Sequence, residues 1–103
     1  MAEYKLIMTV PALEDIHDIS EYITCTLKNP SAAQKFSDKI FSSVSSLSLL
    51  PKRYRVRKRK YKGYDVRYML SGKFVIMYYV NDVNFTVSVI RVIYSGRNLD
   101  ALI

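Results

Sequence analysis

The stretch of sequence that decides the fold runs from Tyr64 to Arg97. It reads YDVRYML (64–70), SG (71–72), KFVIMYYV (73–80), NDVNFTVSVIRVIY (81–94) and SGR (95–97). Three runs rich in β-branched and aromatic residues are separated by short breaks of turn-forming residues, which is the pattern of antiparallel strands joined by hairpins. The middle run, 74–80, is apolar or tyrosine at every position, so both of its faces should be covered. The sequence therefore predicts a C-terminal three-stranded meander with this run at its centre.

The N-terminal half predicts one strand followed by two helices. Residues 3–10 alternate weakly between polar and apolar side chains, which indicates a strand. From Pro11 to Lys28, apolar residues recur at three- and four-residue spacing, as in an amphipathic helix. A second helix should begin at Asn29-Pro30, a capping residue followed by a residue suited to the first turn, and end before Pro51. The predicted fold is α+β, with an N-terminal strand and an antiparallel helix hairpin packed on a small antiparallel sheet.

Length and composition predict a single domain spanning 1–103, because the chain has 103 residues, 50% of them hydrophobic and 24% charged. No apolar run approaches the roughly 20 residues that cross a bilayer. The N-terminus lacks the features of a signal peptide, so we expect a cytoplasmic protein without membrane contact. Cys25 and His17 are the only cysteine and histidine, too few for a zinc site. No phosphate loop, nucleotide fingerprint or nucleophile motif indicates a cofactor.

Charge is distributed unevenly along the chain, whose net charge is +7. Residues 1–50 hold four Lys or Arg and six Asp or Glu, a net of −2, whereas residues 51–103 hold twelve and three, a net of +9. From Lys52 to Lys62, which we call the basic segment, eight of eleven positions are Lys or Arg and none is acidic. Because such like charges repel one another, they indicate a polyanionic or strongly acidic partner. A solvated basic loop is the alternative.

The candidate functional residues are basic and tyrosine side chains. If part of the basic segment extends as an edge strand, it places three guanidinium groups on one side. One exposed side of the sheet is expected to present Arg67, Lys73, Arg91 and Arg97 beside Tyr64, Tyr68, Tyr79 or Tyr94. Guanidinium groups bind phosphate and tyrosine rings stack on bases, so this combination suits single-stranded nucleic acid. The residues predicted to bind a target or nucleic acid are Arg55, Arg57, Arg59, Arg67, Arg91 and Arg97.

A metal-free ribonuclease is a second possibility for the same groups. Cationic side chains would stabilise a pentacovalent phosphorane, and a tyrosine or lysine would move protons. The predicted catalytic residues, if the chain is such an enzyme, are Arg67, Lys73, Tyr94 and Arg97. Most of the nine tyrosines are nevertheless expected to belong to the core or its edge, as in other small domains without tryptophan.

Several short stretches occur in a characteristic order along nearly the whole chain. They are ALEDIHDISEYI (12–23), NPSAA (29–33) followed by Phe36, LSLLP (47–51), KGY (62–64), FVIMYYV (74–80) and IRVIYSGR (90–97). In this order and spacing they resemble the RelE/ParE superfamily of bacterial type II toxins, the toxin halves of toxin–antitoxin operons. The resemblance implies a helix hairpin on a small antiparallel sheet. It also implies a cognate acidic antitoxin and a toxin–antitoxin hetero-oligomer.

Two activities occur within this superfamily. RelE-like members cut messenger RNA in the ribosomal decoding site with basic residues and a C-terminal tyrosine, whereas ParE-like members lack that set and poison DNA gyrase. Here Arg67 and Arg97 match basic positions, but Phe74 stands where the RelE-like pattern has a catalytic arginine. No tyrosine follows Arg97. The resemblance therefore implies a ParE-like toxin of the plasmid-stabilisation type that inhibits growth by binding DNA gyrase. A RelE-like endoribonuclease acting on the ribosome and mRNA, and an inactive or general nucleic-acid-binding relative, are the alternatives.

Overall fold

A computed structural model describes residues 3–96 of the chain. Its strands and helices are, in chain order, β1 (Lys5–Met8), α1 (Val10–Glu21), α2 (Pro30–Ser45), β2 (Arg67–Ser71), β3 (Phe74–Asn81) and β4 (Thr86–Tyr94). A π-helical turn, Tyr22–Thr26, continues α1, and the 3-10 turns Ser46–Ser48 and Pro51–Arg53 follow α2. The predicted order of strand, helix, helix and three strands is confirmed.

The strands form one four-stranded sheet in the order β1-β4-β3-β2. Both β2–β3 and β3–β4 are antiparallel, so the meander is as predicted. The first strand instead pairs with β4 in parallel, from Lys5 opposite Thr86 to Met8 opposite Val89, which makes the sheet mixed rather than wholly antiparallel. A register shift between Met77 and Tyr78 marks a β-bulge in the β3–β4 pair, and a bulge of this kind increases the local twist.

The two helices cover one face of the sheet and close the main core. Helix α2 begins at the predicted cap, where the Asn29 side chain accepts a hydrogen bond of 3.1 Å from the backbone N–H of Ala32. The core contains residues from both helices and from β2, β3 and β4. Tyr78 lies at its centre, fully buried, and its hydroxyl donates a 2.6 Å hydrogen bond to the carbonyl of Pro51. This bond fixes the start of the basic segment against the sheet.

The opposite face of the sheet carries a second, smaller cluster. Val66, Met77 and Ile93 are buried there, with Tyr61, Tyr68 and Ile90 packed against them. The segment between α2 and β2 supplies part of this cover. It does not form the extended edge strand considered from its sequence, because within the described residues its pairing with β2 is limited to an isolated bridge between Val56 and Arg67. Most of the basic segment is therefore a loop held on the sheet.

Within residues 3–96, no helix combines the length and apolarity needed to cross a bilayer. No group of three or more His, Cys, Asp or Glu side chains in the same range is arranged to hold a metal ion.

Candidate functional site

The first two residues of the basic segment stabilise the fold. Arg53 donates from its guanidinium to the carbonyls of Ser46, Leu49 and Leu50, at 3.1–3.2 Å, and to the Ser46 hydroxyl at 2.8 Å. It thereby satisfies carbonyl groups left open where the helical turns after α2 end. The Nζ of Lys52 lies 2.6 Å from an Asp82 carboxylate oxygen, and hydrogen bonding to Asp82 raises the pKa of Lys52.

Two further arginines attach the segment to β2. The guanidinium of Arg67 donates hydrogen bonds to the carbonyl oxygens of Lys52 and Tyr54. Arg57 lies with its guanidinium carbon 4.5 Å from the centre of the Tyr68 ring, within the distance of a cation–π contact, and its backbone N–H donates to the Val66 carbonyl. Both guanidinium groups are therefore occupied by neighbours within the fold.

The remaining described arginine of the meander is bound by an acidic residue of α1. The Nε and Nη2 of Arg91 lie 2.6 and 2.9 Å from the two carboxylate oxygens of Asp15. The same carboxylate accepts a 3.0 Å hydrogen bond from the backbone N–H of Val92. We call these three hydrogen bonds the Asp15 clamp. The hydrogen bonds to Asp15, and to a lesser extent one involving Tyr61, raise the pKa of Arg91 above its ordinary value.

These placements correct the expectation that one open side of the sheet presents Arg67 and Arg91 together. Arg67 pairs with Tyr78 and Arg91 with Met77 across β3. Residues paired across two strands point to the same face of the sheet, whereas the successive residues Met77 and Tyr78 point to opposite faces. Arg67 and Arg91 therefore lie on opposite sides of the sheet. Half-buried charged groups require internal acceptors, and each arginine has found one. Arg97, another member of that predicted surface, lies outside the described residues.

The outer part of the basic segment keeps its charge exposed to solvent. Arg55 and Lys58 are exposed and make no hydrogen bond or ion pair with another residue in 3–96. Arg59 is also exposed, and Lys60 lies 3.4 Å from an Asp65 carboxylate oxygen in a surface ion pair, which has little strength. We call Arg55, Lys58, Arg59, Lys60 and Lys62 the basic patch. Two of the predicted binding residues, Arg55 and Arg59, belong to it.

The residues predicted for ribonuclease activity are only partly brought together. Lys73 and Tyr94 line one groove of about 860 Å³ between the helix hairpin and the ends of β3 and β4. Phe74 lies between them and packs against Phe36 and Tyr94, with ring centres 4.7 and 5.9 Å apart. Arg67 is six residues before Lys73 and at the far end of β2, about 13 Å along the strand from Ser71. Its guanidinium is bound to carbonyl oxygens, so it does not reach this groove.

Sequence reasoning missed an arrangement of tyrosines on the sheet face opposite the helices. The chain reverses at Lys62-Gly63, where both residues have positive φ, 49° and 85°, as in the two-residue turns of β-hairpins. The backbone N–H of Tyr61 donates to the Tyr64 carbonyl, and that of Tyr64 donates to the Tyr61 carbonyl, at 3.0 and 2.9 Å. The Tyr64 ring lies 4.9 Å from that of Tyr79 on β3. A Lys-Gly pair between two tyrosines was the local signal for this hairpin.

Comparison with known proteins agrees with the fold described above. A family model described as the ParE toxin of the type II toxin–antitoxin system parDE matches residues 6–99. A comparison with curated proteins gives no match.

Solved structures share the fold, among them three from toxin–antitoxin systems. The chromosomal ParDE toxin–antitoxin system from P. aeruginosa matches with a TM-score of 0.72 and 20% identity, covering 89% of this chain and 96% of that one. The toxin–antitoxin complex RelBE2 from Mycobacterium tuberculosis matches with a TM-score of 0.62 and 21% identity, covering 90% and 99%. The archaeal RelE–RelB complex from Pyrococcus horikoshii OT3 matches with a TM-score of 0.55 and 15% identity, covering 92% and 98%.

Proposed function

The chain belongs to the ParE toxin family of type II toxin–antitoxin systems, since the family model matches residues 6–99, and from this premise we propose that it arrests growth by binding DNA gyrase. The toxin would act on gyrase, or on the gyrase–DNA complex, inside the cell that makes it. It would stall the enzyme by occupying it, without making or breaking a covalent bond. Maintenance of a plasmid is the proposed biological use.

The observation that carries this proposal is the environment of Phe74. At the position where the RelE-like pattern has a catalytic arginine, the chain has an aromatic ring packed between Phe36 and Tyr94. A ribonuclease would need a cation there to stabilise the charge of a phosphorane. Arg67, one of the candidate catalytic cations, is bound to the Lys52 and Tyr54 carbonyls. A mechanism based on binding does not require either group.

The basic patch is the surface proposed to contact the target. Its side chains lie in a loop on the sheet and are exposed. Positive charge at such a surface increases the rate of encounter with polyanions and contributes a salt-dependent binding free energy to contacts with DNA phosphates. Arg55 and Lys58 have no internal partner within the described chain, so no intramolecular ion pair has to break when they bind.

We further propose that an acidic antitoxin neutralises this toxin in a hetero-oligomer. The three similar structures are, by their descriptions, toxin–antitoxin systems or complexes. On this chain the helix hairpin leaves large apolar side chains exposed, including Leu13, Leu27 and Phe41, which an amphipathic segment would cover. The acidic part of that segment would contact the basic patch. A small acidic protein encoded beside this chain is the expected partner.

Regulated expression in a bacterium without the antitoxin tests the choice of target. Binding to gyrase predicts growth arrest, broken chromosomal DNA and an SOS response, with messenger RNA intact. Transcripts cleaved on translating ribosomes, without DNA damage, would refute the gyrase proposal and favour the RelE-like activity. Normal growth at a protein level verified by immunoblot would indicate an inactive relative.

A further inference from the structure

A second concave surface lies on the sheet face opposite the helices, beside the basic patch. It is a cavity of about 380 Å³, which is within the range of about 300–1,000 Å³ found for small-ligand sites. Its lining comes from β3, β4, the start of α1 and the hairpin at residues 61–64. None of the lining residues is acidic. The gyrase proposal assigns no role to this cavity.

Aromatic rings form one wall of the cavity. Tyr64 and Tyr79 meet at 4.9 Å with their rings inclined by 55°. Tyr64 is 51% exposed, so much of its ring remains accessible to a ligand. The Lys62-Gly63 turn holds Tyr64 in place because Tyr61 and Tyr64 hydrogen-bond to each other through their backbones. An added Cβ at Gly63 would have no atom within 4 Å, so glycine is needed there for its φ of +85° and not for space.

One cation and two neutral polar side chains complete the lining. Lys62 contributes an ammonium group, which lies 5.5 Å from the centre of the Tyr61 ring. Ser88 contributes a hydroxyl and Asn81 a carboxamide. The Asn81 oxygen already accepts the backbone N–H groups of Val83 and Asn84, which leaves its NH₂ group as a donor. Flat aromatic surfaces, hydrogen-bond donors and a cation together suit a ligand with a planar ring and a negative charge.

We propose that this cavity binds one unpaired nucleotide of a nucleic-acid strand, with the base against Tyr64 and Tyr79 and the phosphate toward Lys62. Stacking on tyrosine faces accommodates every base, so the site would discriminate little among sequences. A strand fits better than a free nucleotide because Lys62, which lines the cavity, is the last residue of the basic patch, and the other exposed cations of the patch precede it along the chain. These cations would attract the phosphates that flank the bound nucleotide, and a free nucleotide has no flanking phosphates.

Binding of the purified chain to a short fluorescent single-stranded oligothymidylate, followed by anisotropy over a range of salt concentrations, tests this site without gyrase. Tyr64→Leu keeps the charge and should weaken binding about tenfold with an unchanged salt slope. Lys62→Asn should weaken binding and lower the salt slope by about one ion, and asparagine tolerates the positive φ of that position. Tyr22→Leu is the matched control, because Tyr22 is 56% exposed and lies on the helix hairpin; it should bind as the wild type does.

A second probe keeps the test decisive even if a variant fails to fold. An abasic strand of the same length presents the same phosphates without bases, and the wild-type chain should bind it about tenfold more weakly than oligothymidylate. Equal binding of the two strands, or a Tyr64→Leu variant that binds like Tyr22→Leu, would overturn the proposal and leave only electrostatic attraction. Displacement of the strand by thymidine monophosphate at equal concentration would show that the occupant is a free nucleotide, which also overturns it. Failure here leaves the gyrase proposal untouched, because gyrase inhibition is measured separately.

Discussion

Among the acidic residues in 3–96, Asp15 is the one whose replacement by alanine should lower the stability of the fold most. The Asp15 clamp joins α1 to β4 through two hydrogen bonds from Arg91 and one from the Val92 N–H. The variant loses all three acceptors at once. It also leaves the Arg91 charge and a β4 backbone donor without the partner that compensates their burial.

The magnitude follows from the burial of the pair. The side chains of Arg91 and Asp15 are 33% and 15% exposed. Removing one partner of a fully buried pair costs about 3–5 kcal/mol. Arg91 is partly hydrated already and regains more water once released, so we expect a smaller loss of about 2–3 kcal/mol in the free energy of unfolding. For a domain of this size such a change lowers Tm by about 10–20 °C.

Urea and thermal unfolding followed by circular dichroism measure this loss. Asp18→Ala is the matched control, since Asp18 is exposed on the same helix and substitutions of this kind change stability by less than about 0.5 kcal/mol. Asp15→Asn, which retains one acceptor, should fall between the two. If Asp15→Ala unfolds at the same urea concentration as Asp18→Ala, the clamp does not hold α1 to the sheet and the argument from burial is refuted.

Three further predictions concern the core, the hairpin and the antitoxin. Burial raises the pKa of Tyr78 to about 12. Because the pKa is higher in the folded chain than in the unfolded chain, the neutral Tyr78 side chain contributes its full stabilisation below about pH 10. This stabilisation is lost as the pH rises toward 12. Unfolding midpoints measured across this range should therefore fall, and fall less steeply in Tyr78→Phe. Gly63→Ala should destabilise the chain by about 1–2 kcal/mol in urea unfolding because alanine is strained at positive φ, and no change would argue against the hairpin geometry. Association with the acidic antitoxin, followed by stopped flow, should slow by more than about tenfold from low to high salt, and a salt-independent rate would exclude steering by the basic patch.

Local sequence signals were sufficient for most of the fold. Two short breaks between apolar runs predicted the meander. The Asn29-Pro30 pair predicted the start of α2, because a helix cap is a local contact between residues only three positions apart, here Asn29 and Ala32. The parallel pairing of β1 with β4 was not predictable in this way. It joins residues about 80 positions apart, such as Lys5 and Thr86, and nothing in a weakly alternating strand specifies which partner it takes.

The candidate site was harder to predict for a related reason. The sequence shows where the cations are but not which acceptors reach them. Arg91 finds Asp15, 76 positions away, and Arg67 finds backbone carbonyls, which no sequence pattern marks. The basic patch was predictable because eight of eleven positions are cationic. These cations outnumber the acceptors that a single loop can contact, so some of them must remain exposed. The tyrosine hairpin had a short local signal at Lys62-Gly63, but its contact with Tyr79 depends on tertiary packing.

A supercoiling and DNA-cleavage assay with purified gyrase and purified toxin tests the proposed function most directly. The wild-type chain should inhibit supercoiling and leave gyrase-linked DNA breaks. The double variant Arg55→Gln/Lys58→Gln should inhibit more weakly than the wild type, because it lacks two exposed charges of the basic patch. The difference between variant and wild type should increase as the salt concentration decreases. Lys35→Gln/Lys39→Gln, which removes two exposed charges from α2, should inhibit as the wild type does. Unimpaired gyrase at toxin concentrations that cleave mRNA on ribosomes would contradict the assignment.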